Sequence, residues 1–247
     1  MKKVRIQKVL SAAGLASRRA AEQMVLDGRV TVNGELVTDL PCLVDVENDD
    51  IFTDGRPVRK RPAQRVYFLL NKPRGVVCTQ HDPEGRPKAV DLVPGVKNRR
   101  VYCVGRLDAD STGLIILTND GELTQYLTHP RYGVVKTYVA QVDGQPGEKE
   151  IARLKSGVHL DGRRTQPAGV KVLRRGAKQS LLGIRLAEGR NREIRRILAR
   201  LGHKVRRLKR TAIGPITDRG LKVGNFRMLR PAEVARLRRS GRESKTV

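Results

Sequence analysis

An excess of 26 positive charges on 247 residues sets the first limit on what this chain can fold into. Self-repulsion of that size opposes compaction unless a polyanion neutralises it. Nucleic acid is the usual polyanion, and phosphate contacts then dominate affinity and make it salt-dependent. The bland alternative is a generically basic, soluble surface. The excess is uneven: residues 1–62 hold 11 Lys and Arg against 9 Asp and Glu, whereas residues 185–247 hold 20 against 5. The electrostatic footprint is therefore concentrated in the C-terminal quarter. Hydrophobic residues make up 38% of the chain, with 3% aromatics and no Trp, so a core is attainable and consists mainly of Leu, Val, Ile and Ala.

Periodicity divides the chain. Ile6, Val9, Leu10 and Ala13 recur at helical spacing, with Gly14 as a C-terminal cap. Ser17 reads as the N-cap of a second helix, with Ala20, Ala21, Met24 and Val25 inward and Gly28 ending it. Val30 and Val32 alternate as a strand before Asn33-Gly34, a tight-turn pair. Arg59, Lys60, Arg61 and Pro62 form a short basic linker, and a boundary near residue 62 follows. Beyond it, strand-like runs at Val66–Leu70, Val76–Thr79, Val101–Val104, Leu114–Leu117, Lys136–Val142, Gly169–Leu173 and Ser180–Leu186 outnumber the helices at about 121–129, 151–156 and 189–202. More strands and turns run from Val205 to about Met228. That pattern predicts an α+β domain with a large, mainly antiparallel mixed sheet flanked by helices.

No apolar run approaches about 18 residues, so nothing is expected to span a membrane. The basic, partly apolar N-terminus is interrupted by Gln7, Lys8 and Ser11 and makes a poor signal peptide. Cys42, Cys78 and Cys103 are odd in number and lack CxxC or metal-ligand spacing. They read as reduced, structural thiols of a cytoplasmic protein. Neither GxxxxGK[ST] nor GxGxxG occurs, and the four His residues lie far apart without a Ser or Cys nucleophile beside them.

Two sets of motifs carry the chemistry. Ser17-Arg18-Arg19, Gly28-Arg29-Val30 and Val32-Asn33-Gly34 resemble a small RNA-binding module found in a small-subunit ribosomal protein and in some tRNA synthetases. The resemblance implies that Arg18, Arg19 and Arg29 meet backbone phosphates; arginines merely solvated on a helical pair are the alternative. Further on, LNKPRGVVCT at 70–79, VGRLDADSTGLIILTNDG at 104–121, KTYVAQV at 136–142 and EGRNREIRRILARLGH at 188–203 resemble the RsuA-type ribosomal RNA pseudouridine synthases. Four motifs in order are far more specific than any one of them. Within that family, the Glu188–Glu193 run and the Asp82-Pro83-Glu84-Gly85 loop are closest to the B branch, which acts on large-subunit RNA.

Carried over residue by residue, the resemblance implies Asp108 as the catalytic aspartate and Tyr138 as the active-site tyrosine against the uracil. It further implies Arg195 as the basic partner of that aspartate and Arg106 beside the evicted base. Read without it, Asp108 is a turn-forming residue, Tyr138 an ordinary core ring, and Asp110 and Asp120 turn or cap residues. On a helical wheel Ile194, Ile197, Leu198 and Leu201 form the inward stripe. Arg195 lies at its margin, whereas Arg192, Arg196 and Arg200 are placed for solvent or phosphate.

Uridine isomerisation breaks an N–C bond and remakes a C–C bond at the same sugar carbon, with no redox change. It needs no nucleotide, flavin or metal, but it does need an ionised carboxylate. A carboxylate buried alone tends to protonate, and a neighbouring guanidinium keeps it charged. The target base must leave its stack at a cost of a few kcal/mol, which an aromatic platform offsets by about 1–3 kcal/mol. The resulting expectation is a module at 1–62 that binds RNA, a pseudouridine synthase domain at 66–232 and a basic flexible tail at 233–247. The enzyme would be a monomeric, cofactor-free cytoplasmic isomerase with ribosomal RNA as partner, of the large ribosomal subunit or its assembly intermediate. Small-subunit RNA, or a non-catalytic RNA-binding assembly factor on the same scaffold, are the rival readings. A glycosidic hydrolase would want two carboxylates flanking the bond, and only Asp108 has a motif around it.

Overall fold

The computed structural model describes residues 3–58, 64–95, 100–165 and 169–241, and the chain divides into compact units at 1–65 and 66–247. In the first unit β1 (Val4–Arg5) leads into α1 (Ile6–Ala12), followed by α2 (Arg18–Leu26), β2 (Val30–Val32), β3 (Glu35–Leu36), β4 (Leu43–Val44), β5 (Ile51–Thr53) and β6 (Arg56–Pro57). Ser17 caps α2, its hydroxyl accepting the Ala20 N–H at 3.1 Å. The two helices bury Ile6, Leu10, Ala21 and Val25 against Val30, Val44 and Ile51. At the β2–β3 turn both Asn33 and Gly34 have positive φ (54° and 85°). That combination suits the right-handed twist of a two-residue hairpin and explains the Asn-Gly pair. The basic linker at 59–62 lies outside the described residues.

The second unit is organised by one mixed sheet. Its strands are β7 (Tyr67–Lys72), β8 (Tyr102–Cys103), β9 (Thr112–Thr118), β10 (Lys136–Asp143), β13 (Gly169–Arg174), β14 (Gln179–Leu186), β15 (Val205–Ile213), β16 (Ile216–Thr217) and β17 (Phe226–Met228). A separate small hairpin pairs β11 (His159–Leu160) with β12 (Arg163–Arg164). The helices are α3 (Gly121–Thr128), α4 (Glu148–Ser156), α5 (Glu193–Arg200) and α6 (Pro231–Arg239). Strand order is β13-β14-β10-β15-β9-β7-β17, with β16 beside β15 and β8 beside β9. Among the described strands of this sheet β15 and β9 pair parallel and every other pair is antiparallel.

Both faces of the central strands are covered, which is why Phe68–Leu70 and Leu114–Leu117 read as continuous apolar runs rather than alternations. Leu69, Leu114 and Ile116 pack under α3 and α6 through Leu123, Leu127, Val234 and Leu237. Phe68, Leu70, Ile115 and Leu117 face Val76, Ala89, Val93 and Val101 of the segment that follows β7. In the other half of the sheet Ala140, Val142, Leu182 and Ile184 receive Leu154 of α4 and Ile194, Ile197 and Leu198 of α5.

Three local expectations change. Val76–Thr79 is not a strand: Val77 accepts from Ala89 and donates to Pro87 in a local loop, forming a lone bridge with Lys88. The Val101–Val104 run shortens to β8 because Gly105, at φ +71°, turns the chain out of extended backbone. The segment from 233 begins not as a flexible tail but inside α6, because Val234 and Leu237 give it an apolar face that buries against the sheet. Residues 242–247 lie outside the described part.

Candidate active site

Asp108 and Asp110 occupy positions one and three of a tight turn immediately before β9, closed by the Ser111 N–H donating to the Asp108 carbonyl at 3.1 Å. Leu107 anchors the turn from below, 7% exposed. The Ala109 carbonyl accepts the Gly75 N–H at 2.7 Å, tying the turn to the Pro73–Gly75 bend after β7. Both carboxylates therefore stand on a short, doubly braced loop, with side chains 30% and 35% exposed, open enough to meet a ligand.

Two guanidinium groups of the α5 segment face this turn, and the pairing differs from the expected one. Arg195, with an 11% exposed side chain, pairs with Asp110 at 3.1 Å rather than with Asp108. It also donates to the Ser111 hydroxyl at 3.2 Å and to the Val205 carbonyl at 3.1 Å. Burial pushes its pKa down, and the neighbouring Asp110 opposes that shift. Asp108 receives Arg192 instead, at 3.4 Å, and the same guanidinium reaches Asp110 at 3.4 Å. The wheel directs Arg192 away from the helix stripe, but α5 begins only at Glu193. Arg192 is its N-cap in left-handed conformation, φ 48° and ψ 30°, which releases the residue from helical geometry and turns it toward the carboxylates. Such a conformation costs a non-glycine residue about 1–3 kcal/mol and persists only where surroundings enforce it.

The floor of the site is a row of residues that the sequence reading omits. Pairing across adjacent strands aligns Tyr138 with Arg210, Arg210 with Gly113, and Gly113 with Lys72. Directly paired residues share a face of the sheet, so Lys72, Arg210 and Tyr138 project the same way, the last two strands away from Gly113 at roughly 10 Å. Lys72 is fully buried, its amino group donating to the carbonyls of Pro73 and Val76 at 2.9 and 2.8 Å. Burial lowers its pKa, while Cys78, Asp110 and Asp108 pull the other way. Arg210 is 5% exposed and donates Nε to the Leu114 carbonyl at 2.6 Å. A charged residue closing the apolar run Phe68–Leu70 was the available signal for Lys72, whereas Arg210 lies among the basic residues of β15 and had none. Tyr138 is half-buried against the α4–α5 core.

The remaining candidates separate. Arg106 is exposed on the site loop, and Arg200 is exposed at the end of α5. Arg196 is engaged by Asp161 of the β11–β12 hairpin. In the N-terminal unit Arg18 and Arg19 are exposed on the first turn of α2. Arg29 is instead clamped by Asp54 through two hydrogen bonds of 2.8 and 2.7 Å.

The chain and its fold have counterparts among known proteins. Residues 66–200 match the model of the RNA pseudouridylate synthase family, and residues 4–51 match the S4 domain. This chain belongs to the RNA pseudouridine synthases. The synthase is 44% identical to an uncharacterised RNA pseudouridine synthase of Aquifex aeolicus (strain VF5), covering 96% of this chain and 94% of that one. It is 43% identical to the ribosomal large subunit pseudouridine synthase B of Bacillus subtilis (strain 168), covering 95% of each. A crystal structure of a pseudouridylate synthase superposes with a TM-score of 0.69 at 30% identity, over 95% of this chain and 99% of that one. As a pseudouridine synthase the protein is an isomerase, built from an S4 module and a mixed α+β sheet domain.

Proposed function

We propose that this synthase isomerises a specific uridine of ribosomal RNA, in the large ribosomal subunit or its assembly intermediate, with Asp108 as the catalytic aspartate. The Asp108–Ser111 turn carries the proposal. It is the place in the catalytic unit where two partly exposed carboxylates meet two arginines above a row of buried cations. A cationic surround keeps a carboxylate ionised, and an ionised carboxylate serves as nucleophile or base toward an extruded uridine. The 43% identity, over 95% of each chain, with the Bacillus subtilis protein named for the large ribosomal subunit favours that RNA over the small-subunit one.

In this reading the module at 1–62 recognises structured RNA through Arg18 and Arg19, and the domain at 66–232 performs the chemistry. The flipped base stacks on Tyr138, an exchange of about 1–3 kcal/mol against the few kcal/mol of unstacking. Arg106 and Arg200 contact phosphates on either side. Arg195 acts at one remove, holding Asp110 and Ser111 so that the turn presents Asp108. Mapping pseudouridines in both ribosomal RNAs, from cells with and without this protein, tests the proposal. Loss of one large-subunit site that the wild-type gene restores and the Asp108→Asn gene does not is the expected result. Loss of a small-subunit site, or restoration by Asp108→Asn, overturns the corresponding half.

A further inference from the structure

Glu193 is a buried carboxylate that the isomerisation does not use. It opens α5, is 4% exposed, and directly follows Arg192. An acid in the first turn of a helix is favoured by the positive end of the helix dipole, and it meets that end at the surface as well as in the interior. Glu193 instead folds back on the chain. Its Oε2 accepts the Arg190 N–H at 3.0 Å, while its own N–H donates to the Arg190 carbonyl at 3.3 Å. The arginines around it are engaged elsewhere: Arg190 by Glu188, Arg192 and Arg195 by the acidic turn, and Arg196 by Asp161. Its Oε1 is buried with no hydrogen-bond partner. Burial raises the Glu193 pKa, against the pull of the Arg190 N–H. A buried acceptor without a donor costs stability, so helix stability alone does not account for a carboxylate here.

The two bonds between Arg190 and Glu193 run in opposite senses and close the four residues into a ring. A capping box fixes the entry of a chain into a helix by the same reciprocity of side chain and backbone. Arg192 lies inside that ring. Its left-handed backbone, φ 48° and ψ 30°, is strained for a residue with a Cβ and persists only where neighbours enforce it. From that backbone its guanidinium meets Asp108 and Asp110 at 3.4 Å each. We propose that Glu193 is a positioning residue of the reaction, holding Arg192 in left-handed backbone through the Arg190 N–H so that the guanidinium faces Asp108. That role rests on the Asp108 reading. A leucine at 193 fills similar buried space, removes the orphaned oxygen and leaves nothing to accept from Arg190. A glutamine keeps an acceptor oxygen at the same reach.

Single-turnover rates of the full-length enzyme, measured over a range of concentrations of a ribosomal RNA fragment and beside thermal melts, test this role. Glu193→Leu should lower the saturating rate by about tenfold, the loss expected for a hydrogen bond to a charged group, with the half-saturating RNA concentration within about twofold of wild type. Glu193→Gln should recover to within about threefold of the wild-type rate, because the neutral hydrogen bond it keeps is weaker. Should leucine bring the melt into the assay range, Glu193→Asp, one methylene short of the Arg190 N–H, takes its place with the same expectation. In an Arg192→Gln background Glu193→Leu should cost little further, since the group it positions is already gone. An undiminished saturating rate for Glu193→Leu overturns the proposal. So does an equal further loss in the Arg192→Gln background, or a Glu193→Gln enzyme as slow as the leucine variant. Full activity in Asp108→Asn removes the Asp108 reading itself, whereas an undiminished Glu193→Leu beside an inactive Asp108→Asn removes only the positioning.

Discussion

Nη2 of Arg195 lies 3.1 Å from Oδ1 of Asp110, and its Nη1 lies 3.1 Å from the carbonyl of Val205. One guanidinium thus joins the turn before β9, helix α5 and the first residue of β15. It ties the turn to the neighbouring elements, and Arg192 is the guanidinium that pairs with Asp108. The two aspartates are consequently inequivalent in spite of their shared loop. Asp110 is held at 3.1 Å by the less exposed Arg195, while Asp108 is met at 3.4 Å by the half-exposed Arg192.

Substituting the two aspartates separates these roles. Asp108→Asn should reduce pseudouridine formation below detection while RNA affinity stays within about twofold. Asp110→Asn should slow the reaction by about tenfold to a hundredfold, the kinetic equivalent of the roughly 1.5–3 kcal/mol that hydrogen bonds to charged groups contribute. Single-turnover assays on a ribosomal RNA fragment, read beside filter binding, check both. Equal losses for the two variants would remove the distinction.

Arg200 and Arg196 should differ in their effect on salt dependence. Arg200 is exposed and Arg196 is paired with Asp161. Neutralising Arg200 to Gln should reduce the slope of log affinity against log salt by up to about one unit, the value of one phosphate contact. Arg196→Gln should leave the slope nearly unchanged, because that charge is already compensated. Binding isotherms over a salt series decide it, and an unchanged slope for Arg200→Gln takes the end of α5 out of the interface.

Gly113 should not accept a side chain. A Cβ there would stand 2.2 Å from the Arg210 carbonyl oxygen and 2.6 Å from its nitrogen, at a φ of +109°. The backbone conformation alone costs about 1–3 kcal/mol for a non-glycine residue, and the contact forces β9 and β15 apart. Gly113→Ala should lower the thermal midpoint steeply and abolish activity together with it. A normal melt would show that the two strands have room.

Helix α6 should loosen in acid. Glu233 forms a two-pronged pair with Arg227 at 2.7 and 2.8 Å, and that pair holds its pKa at about 2 against an ordinary 4.5. Because the folded value is depressed, the stabilisation is present above pH 4.5 and is lost as pH falls from 4.5 toward 2. Wild type should therefore melt above Glu233→Gln at neutral pH, with the gap closing across that window. A gap independent of pH would assign the difference to the amide substitution itself.

The helices and long strands were legible because their apolar residues repeat at the spacing their environment requires. Ile194, Ile197 and Leu198 are buried as the wheel demands, and Ser17 caps α2 as its position suggests. What escaped depends on long-range contact. The wheel assumes a regular helix, so it could not place Arg192, whose left-handed backbone breaks the helix one residue before α5. Nor could it choose between Asp108 and Asp110 as the partner of Arg195, since two residues of one turn differ only in which strand end they face. Lys72 and Arg210 lie 138 positions apart in sequence and meet only through register across three strands.

The parallel pairing of β9 with β15 also governs when during synthesis the enzyme comes into being. A ribosome that has translated Asp108 must still add about a hundred residues before Arg210 exists. Until then the acidic turn lacks the Arg210 part of its floor, its two arginines arrive only at positions 192 and 195, and β9 lacks its parallel partner β15. A nascent or prematurely terminated chain can carry an intact S4 segment and still have no means of rearranging a uridine, so a truncated product would compete for RNA without modifying it.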